Sequence, residues 1–423
     1  MSTSDSIAPI PTFDQADVDA LAARLAATRL PEANPVAAAM PGPAADLAPR
    51  LLEAWRDRFD VRSLEERAAE LGAFTTTTAD GRRLAALHVR ADKATGLPIL
   101  LIHGWPDTPI RFVELIPLLT AAGHDVVAPA IPGFWHSDEP TGEMSRELAA
   151  DDFHALMTRL GYERYAVHGG DWGSAVAQSI ALHHPDSVAA VHLTDVPFDL
   201  AYTIDKEAAG DAESAYLEAV ERFSGEALYL SANTTQPNLI ATVLQDSPIG
   251  LAAWLGALYE AWSETPIADE HIIANAALLS LTGTVRSSLR LYSEPASSWD
   301  EASWNDESTT AWTEAEGSDW GEPAVDPSSD ANDQPSHNTT DADDARGSVD
   351  TSGWSGSWAP EAVTAPTAFA LFPKDIAMAP RQLAERFFAV ERFTIMSRGG
   401  HFAALEEPQL LADDLLDFLA ERT

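Results

Sequence analysis

Two kinds of hydrophobic spacing alternate along this chain. Residues 14–28 place Val18, Leu21, Ala22 and Leu25 on one helical face, and Pro31 ends the pattern. Leu52, Trp55 and Phe59 mark a second helical stretch from residue 51, which continues through Leu64 to Leu71. The period then changes, with strand signals over 74–78 and 84–89 on either side of a turn at Asp80 and Gly81, as in a hairpin. Residues 98–103, PILLIH, are apolar almost without interruption, as a central parallel strand is when both of its faces are covered. A helix over 110–121, a buried strand over 125–130 and a helix over 145–160 follow, the last capped by Ser145 and ended by Gly161. A strand at 165–167 breaks into a helix over 175–183, and another strand spans 187–193. This alternation predicts an α/β fold, a doubly wound and mostly parallel sheet with its chemistry at the carboxyl ends of the strands.

Sheet signals lapse after Leu193 and return at 367–372 and 392–396, before a closing amphipathic helix over 408–419. Residues 199–292 read as short helices forming a lid over the strand ends. Residues 293–360 contain no Leu, Ile, Met or Phe but six Trp and many acidic residues, so a disordered acidic insert is expected there. The expected organisation is a helical segment over 1–72 packed on the outside of the core, core residues 73–198, lid 199–292, insert 293–360 and core residues 361–423.

Candidate chemistry sits at the sharpest break in the pattern. In YAVHGGDWGS, residues 165–174, the spacing GxDxG is that of a nucleophile elbow, the strained turn that lifts one side chain above the sheet of an α/β hydrolase. The lifted group here is Asp171, and a carboxylate is nucleophilic without a base, which points to alkylation at carbon rather than acylation. Asp375 and His401 each fall just past a later predicted strand. The three appear in the chain order nucleophile, acid, histidine that this fold uses.

Charge narrows the setting. The 423 residues carry a formal net charge of -40. That excludes nucleic acid and acidic membranes as expected partners, since both select basic surfaces. Roughly 15 of the negative charges lie in the insert, and the remainder still far exceeds what solubility asks of a small domain. Molar salt shortens the Debye length to roughly 3 Å, so a salt-rich cytoplasm is the expected environment. There is no cysteine, hence no disulfide and no thiolate nucleophile. No leader-like opening and no membrane-length apolar window occur, so a soluble cytoplasmic protein is expected, with self-association left open.

The stretches RLAATRLP, HGWPDTPIRFVELIPLL, IPGFWHSDEP, GGDWGSAVAQ, DSPIGLAAW and RGGHFAALEEPQLLADDLLDFL resemble an epoxide hydrolase of the α/β-hydrolase superfamily, of the microsomal type with an extra N-terminal segment. The resemblance implies that Asp171 attacks an epoxide carbon to give a glycol ester. His401, oriented by Asp375, then activates the water that hydrolyses it. It also implies an oxyanion hole from the backbone N–H groups of Trp105 and Trp172, and two lid tyrosines that protonate the opening ring. Tyr292, in SSLRLYSE, matches one of them, and Tyr229 is the best match for the other, although ALYLSANTTQPN departs from the family pattern. His103, Gly104, Pro106 and Phe134 are the candidate pocket residues, and Trp135 and His136 replace the pair usual after GF. The implied partners are a small epoxide and water, with no cofactor and no metal. His183 and His184 point apart along a helix and have no acidic partner at ligand spacing. Two rivals share these residues: a haloalkane dehalogenase with the same nucleophile, and a catalytically silent scaffold whose tryptophan-bearing insert binds a ligand or partner.

Overall fold

The structure is a computed structural model and describes residues 7–32, 42–292 and 361–422. The expected acidic insert, 293–360, lies outside the described residues. Nine strands form one sheet: β1 (Ala8–Pro9), β2 (Phe74–Thr77), β3 (Arg83–Val89), β4 (Ile99–Ile102), β5 (Val126–Pro129), β6 (Tyr165–Gly169), β7 (Val188–Leu193), β8 (Val363–Leu371) and β9 (Phe388–Ile395), in the order β1-β2-β3-β5-β4-β6-β7-β8-β9. The first three pairings are antiparallel, and every pairing from β5 to β9 is parallel. Strands β4 and β6 are buried along their whole length, which is why their sequences show no polar alternation.

The helices are α1 (Gln15–Ala26), α2 (Leu47–Asp57), α3 (Val61–Glu70), α4 (Leu115–Ala121), α5 (Arg146–Arg159) and α6 (Trp172–His183), then α7 (Asp211–Glu226), α8 (Leu228–Thr235), α9 (Pro237–Asp246), α10 (Pro248–Trp262), α11 (Asp269–Thr282) and α12 (Val285–Leu289) between β7 and β8, and finally α13 (Arg381–Phe387), α14 (Ala403–Glu406) and α15 (Pro408–Leu419). The chain runs from β4 to β5 in one direction across the sheet and from β5 through β6 to β7 in the other. Right-handed crossovers therefore put α4 on one face and α5 with α6 on the opposite face. Accordingly α5 packs on α6 and α4 on α15. Ser145 caps α5 by accepting the Leu148 N–H at 3.2 Å.

Several elements differ from the sequence pattern for local reasons. The helix expected over 110–121 is split into a 3-10 turn, Pro109–Phe112, and α4. Pro117 has no N–H with which to reach the Val113 carbonyl, so a continuous helix would lack that bond. Strand β8 starts before the apolar run, because Pro366 interrupts the pattern and is absorbed by a register shift against β9. Strand β1 is two residues long and too short to show a period. The N-terminal helices, expected on the outside of the core, lean on the lid: α1 and α2 pack against α10 and α11, and α3 against α11. Arg24 donates to the Gln245 carbonyl at 3.0 Å, and Arg50 pairs with Glu260 at 2.9 Å and with Asp269. The cause is α10, PIGLAAWLGALYEAW, which is apolar around most of its circumference and needs cover on more than one side.

Candidate active site

Asp171 stands in the turn between β6 and α6, as the N-cap of α6, with φ 58° and ψ -132°, a left-handed setting that few non-glycine residues adopt and that costs roughly 1–3 kcal/mol. The turn is held because α6 starts hard against the neighbouring strand. A Cβ on Gly173 would lie 2.2 Å from the Ile102 carbonyl oxygen, so only glycine fits. A Cβ on Gly104 would lie 2.3 Å from Asp171 Oδ1, and its absence lets the loop after β4 close over the carboxylate. The Trp105 N–H then donates to Oδ1 at 2.8 Å. Trp172 opens α6, so its N–H belongs to the first-turn donors that no carbonyl of that helix reaches.

The other carboxylate oxygen faces the histidine. His401 Nε2 lies 3.5 Å from Asp171 Oδ2 and has no hydrogen-bond partner, while His401 Nδ1 is 2.7 Å from Asp375 Oδ1. Burial lowers the His401 pKa, but the charges of Asp375 and Asp171 outweigh it and hold the imidazole at about 10. The resting histidine is thus an imidazolium between two carboxylates.

Tyr229 and Tyr292 close over this group from the lid. The Tyr229 ring stacks on Trp105 with centroids 5.1 Å apart, and Tyr292 meets Trp105, Trp172 and Tyr229 edge-on at 5.3, 5.5 and 5.8 Å. The two hydroxyls share a hydrogen bond, and the Trp172 indole N–H donates to Tyr292. Burial, reinforced by the Asp171 charge, pushes both phenols above their ordinary range, so each keeps its proton at neutral pH. The structure therefore brings Asp171, Asp375, His401, Tyr229, Tyr292 and the Trp105 N–H into one cluster.

The candidate pocket residues divide. Gly104 and Pro106 are in the loop over Asp171. His103 and Phe134 instead hold that loop in place. His103 is fully buried, its Nε2 accepts the Ile131 N–H at 3.0 Å, its Nδ1 donates to the Gly104 carbonyl at 2.9 Å, and Phe134 lies edge-on 5.2 Å away. Burial lowers the His103 pKa to about 4, so it stays neutral. His136 stacks on Phe13 of the N-terminal segment at 5.3 Å. His184 is 3.0 Å from Asp151 and stacks on His154. Among the described residues no three His, Cys, Asp or Glu side chains gather as a metal would require.

Sequence reasoning missed two sets of groups. Asp195, just past β7, accepts the Asp171 N–H at 2.6 Å and so holds the elbow from behind. Burial and the nearby Asp375 charge raise its pKa to about 7. Its position after a parallel strand was the available signal. The second set surrounds Asp107, which is fully buried. It accepts hydrogen bonds from Tyr259 and from Asn275 at 3.0 Å, lies 3.3 Å from His271 Nε2, and pairs with Arg111 at 3.2 Å. Arg111 also donates to the His401 carbonyl at 3.3 Å. This cluster ties the Trp105 loop to lid helices α10 and α11 and to the histidine.

The fold and this cluster define an α/β hydrolase, and the family model for the alpha/beta hydrolase fold matches residues 98–408. A second model, the epoxide hydrolase N terminus, matches residues 10–112. A Stigmatella aurantiaca protein assigned to the epoxide hydrolases is 30% identical over 412 residues, covering 93% of this chain and 80% of its own. Epoxide hydrolase 1 of Sus scrofa is 25% identical, covering 88% and 79%. Among solved structures, the epoxide hydrolase of Aspergillus niger aligns with a TM-score of 0.74 at 22% identity, covering 100% of this chain and 97% of its own. The juvenile hormone epoxide hydrolase of the silkworm Bombyx mori gives 0.76 at 21% identity, with 99% and 95% covered. The chain belongs to the epoxide hydrolase family.

Proposed function

We propose that the chain converts small epoxides to vicinal diols in two steps, with Asp171 as nucleophile, Tyr229 and Tyr292 as acids, and His401 with Asp375 as the water-activating pair. In the first step an Asp171 oxygen attacks a ring carbon, the carbon–oxygen bond opens, and the phenol pair supplies a proton to the alkoxide, leaving a neutral glycol ester and one phenolate. The phenols suit this because burial keeps them protonated until an alkoxide appears. Esterification removes one of the two negative charges facing His401, so the imidazolium gives up its proton, which returns through solvent to the phenolate, restoring the phenol and leaving His401 as a base. In the second step His401 takes a proton from water, whose oxygen attacks the ester carbon. The Trp105 N–H, already on Oδ1, holds the oxyanion that forms. Collapse expels the diol, which takes the proton brought in with the water oxygen, and leaves the carboxylate facing the imidazolium as at the start.

The observation that carries this reading is the division of the Asp171 carboxylate, one oxygen on a backbone N–H and the other toward His401, beneath two coupled phenols. The strongly acidic sequence supports a salt-rich cytoplasm as the working environment. Among the described residues no single helix is long and apolar enough to cross a membrane.

The test is product analysis in concentrated KCl with aryl and alkyl epoxides beside haloalkanes, using Asp171→Ala as control. Diol that disappears in the variant is expected. Halide release without diol would transfer the reaction to the dehalogenases, and full activity with a stable fold at low salt would remove the salt-adapted reading.

A further inference from the structure

Helix α8 of the lid is built against the usual partition of residue types. It buries Tyr229 and Asn233, while Leu228 at its start is 72% exposed. Asn233 is 0% exposed, and neither its amide nitrogen nor its amide oxygen has a hydrogen-bond partner. Buried polar groups are paired in the great majority of cases, and one left unpaired costs about 1–3 kcal/mol. Trp254 Nε1, Ser263 Oγ and Ser280 Oγ are also buried in the lid without a partner, but among the described residues Asn233 leaves both ends of a primary amide open.

Its position indicates what would pair with it. Four residues make about one turn, so Asn233 shares a helix face with Tyr229 and lies about 6 Å further along the axis. Tyr229 stacks on Trp105 and meets Trp262 edge-on at 5.2 Å, and α8 also packs against the turn Arg290–Tyr292 that carries the second phenol. A substrate with its epoxide oxygen at the phenols and its chain laid along α8 passes aromatic walls and then the amide. Asn233 carries no charge, and it can donate to a carbonyl or accept from a hydroxyl.

We propose that Asn233 is a specificity-determining residue whose amide binds an uncharged hydroxyl or carbonyl of the substrate one turn of α8, about 6 Å of rise, beyond the position of Tyr229. The preferred substrates are then epoxides that carry an oxygen function four or five bonds of about 1.5 Å from the ring, rather than plain hydrocarbons. This inference rests on the reaction proposed above and names the substrate class within it.

The experiment compares kcat/KM for a terminal alkyl epoxide and for the same chain bearing a ketone or hydroxyl at that distance, in the full-length protein and in Asn233→Leu, with Tm measured for both. The native protein is expected to favour the oxygenated epoxide by roughly 10-fold or more, as sites built to hydrogen-bond a substrate group do. Asn233→Leu is expected to lose that preference, mainly through a raised KM for the oxygenated epoxide, and to melt at the same or a higher temperature. Asn233→Ala reads the same ratio if the leucine does not fold. A native protein without preference, or a ratio unmoved in the variants while diol still forms, overturns the inference and leaves the reaction standing. A lower Tm with an unmoved ratio also overturns it, because the amide would then serve the fold through bound water. Absence of diol from every epoxide overturns both.

Discussion

Replacing Asp171 by asparagine keeps the shape of the side chain and removes one of the two negative charges facing His401. Across the 3.5 Å between Oδ2 and Nε2, a unit charge in an effective dielectric near 20 contributes about 4–5 kcal/mol, or about 3 pKa units. The imidazole, held at about 10 in the native protein, is expected to titrate near 7 in Asp171→Asn, where burial and Asp375 remain its main influences. The same fall accompanies ester formation and converts the histidine from a resting cation into a base once the first step is complete. Nuclear magnetic resonance of the imidazole, followed across the neutral and alkaline range in both proteins, measures it directly. The sign carries over to stability. A folded-state pKa above the unfolded value of about 6.5 gives stabilisation that is complete below about pH 6.5 and is lost as pH rises through 10. Denaturant midpoints of the native protein should decline across that window, and those of Asp171→Asn should level off early. An Asp171→Asn imidazole that still titrates above about 9 would refute the charge-switch reasoning.

Three further outcomes are expected. Tyr229→Phe and Tyr292→Phe should each slow ester formation by about 10–100-fold and together by more than either alone, since general acids contribute about 10²–10⁴; rapid-mixing fluorescence of the adjacent tryptophans reads this step, and unchanged rates would remove the phenols from the reaction. Asp107→Asn leaves the buried Arg111 without its counter-charge and should lower stability by about 3–5 kcal/mol in denaturant melts, with no loss telling against the cluster as a lid clasp. Asp195→Asn keeps an acceptor for the Asp171 N–H but removes a carboxyl whose pKa is raised to about 7, so its stability relative to the native protein should grow as pH climbs from about 4 to 7; a constant difference would place that ionisation elsewhere.

The central parallel strands were legible because burial on both faces writes uninterrupted apolar runs. His401 follows the edge strand β9, FAVERFTI, which is largely half-buried or exposed, and was marked by the Gly399–Gly400 turn before it. Asp171 and Asp375 were legible because each follows an uninterrupted apolar run. Asp195 has the same signature after β7 but lies outside the usual order of three, so topology alone did not select it. The Asp107 cluster draws on residues 107, 111, 259, 271 and 275, and no local period links its members. Asn233 was hidden for another reason: in sequence it looks like an ordinary solvent-facing helix residue, and its burial appears only when α8 is docked. The N-terminal helices were recognisable as amphipathic, but amphipathicity names a buried face without naming the partner, and that partner proved to be α10.

The pairing of β7 with β8, Val191 beside Thr367, also sets the order in which the protein assembles. These neighbouring strands are separated by the lid and by all that follows it, so their docking closes a far longer loop than an ordinary crossover. Each doubling of loop length adds about 0.6 kcal/mol of closure entropy, so roughly three doublings beyond a short crossover add about 2 kcal/mol. Contacts of such long range form late in folding. Asp375 and His401 both lie beyond that junction, so a chain still emerging from the ribosome presents the Asp171 elbow before either partner exists. Competence for the second chemical step therefore arrives with the docking of β8 and β9, which carry Asp375 and His401 to Asp171.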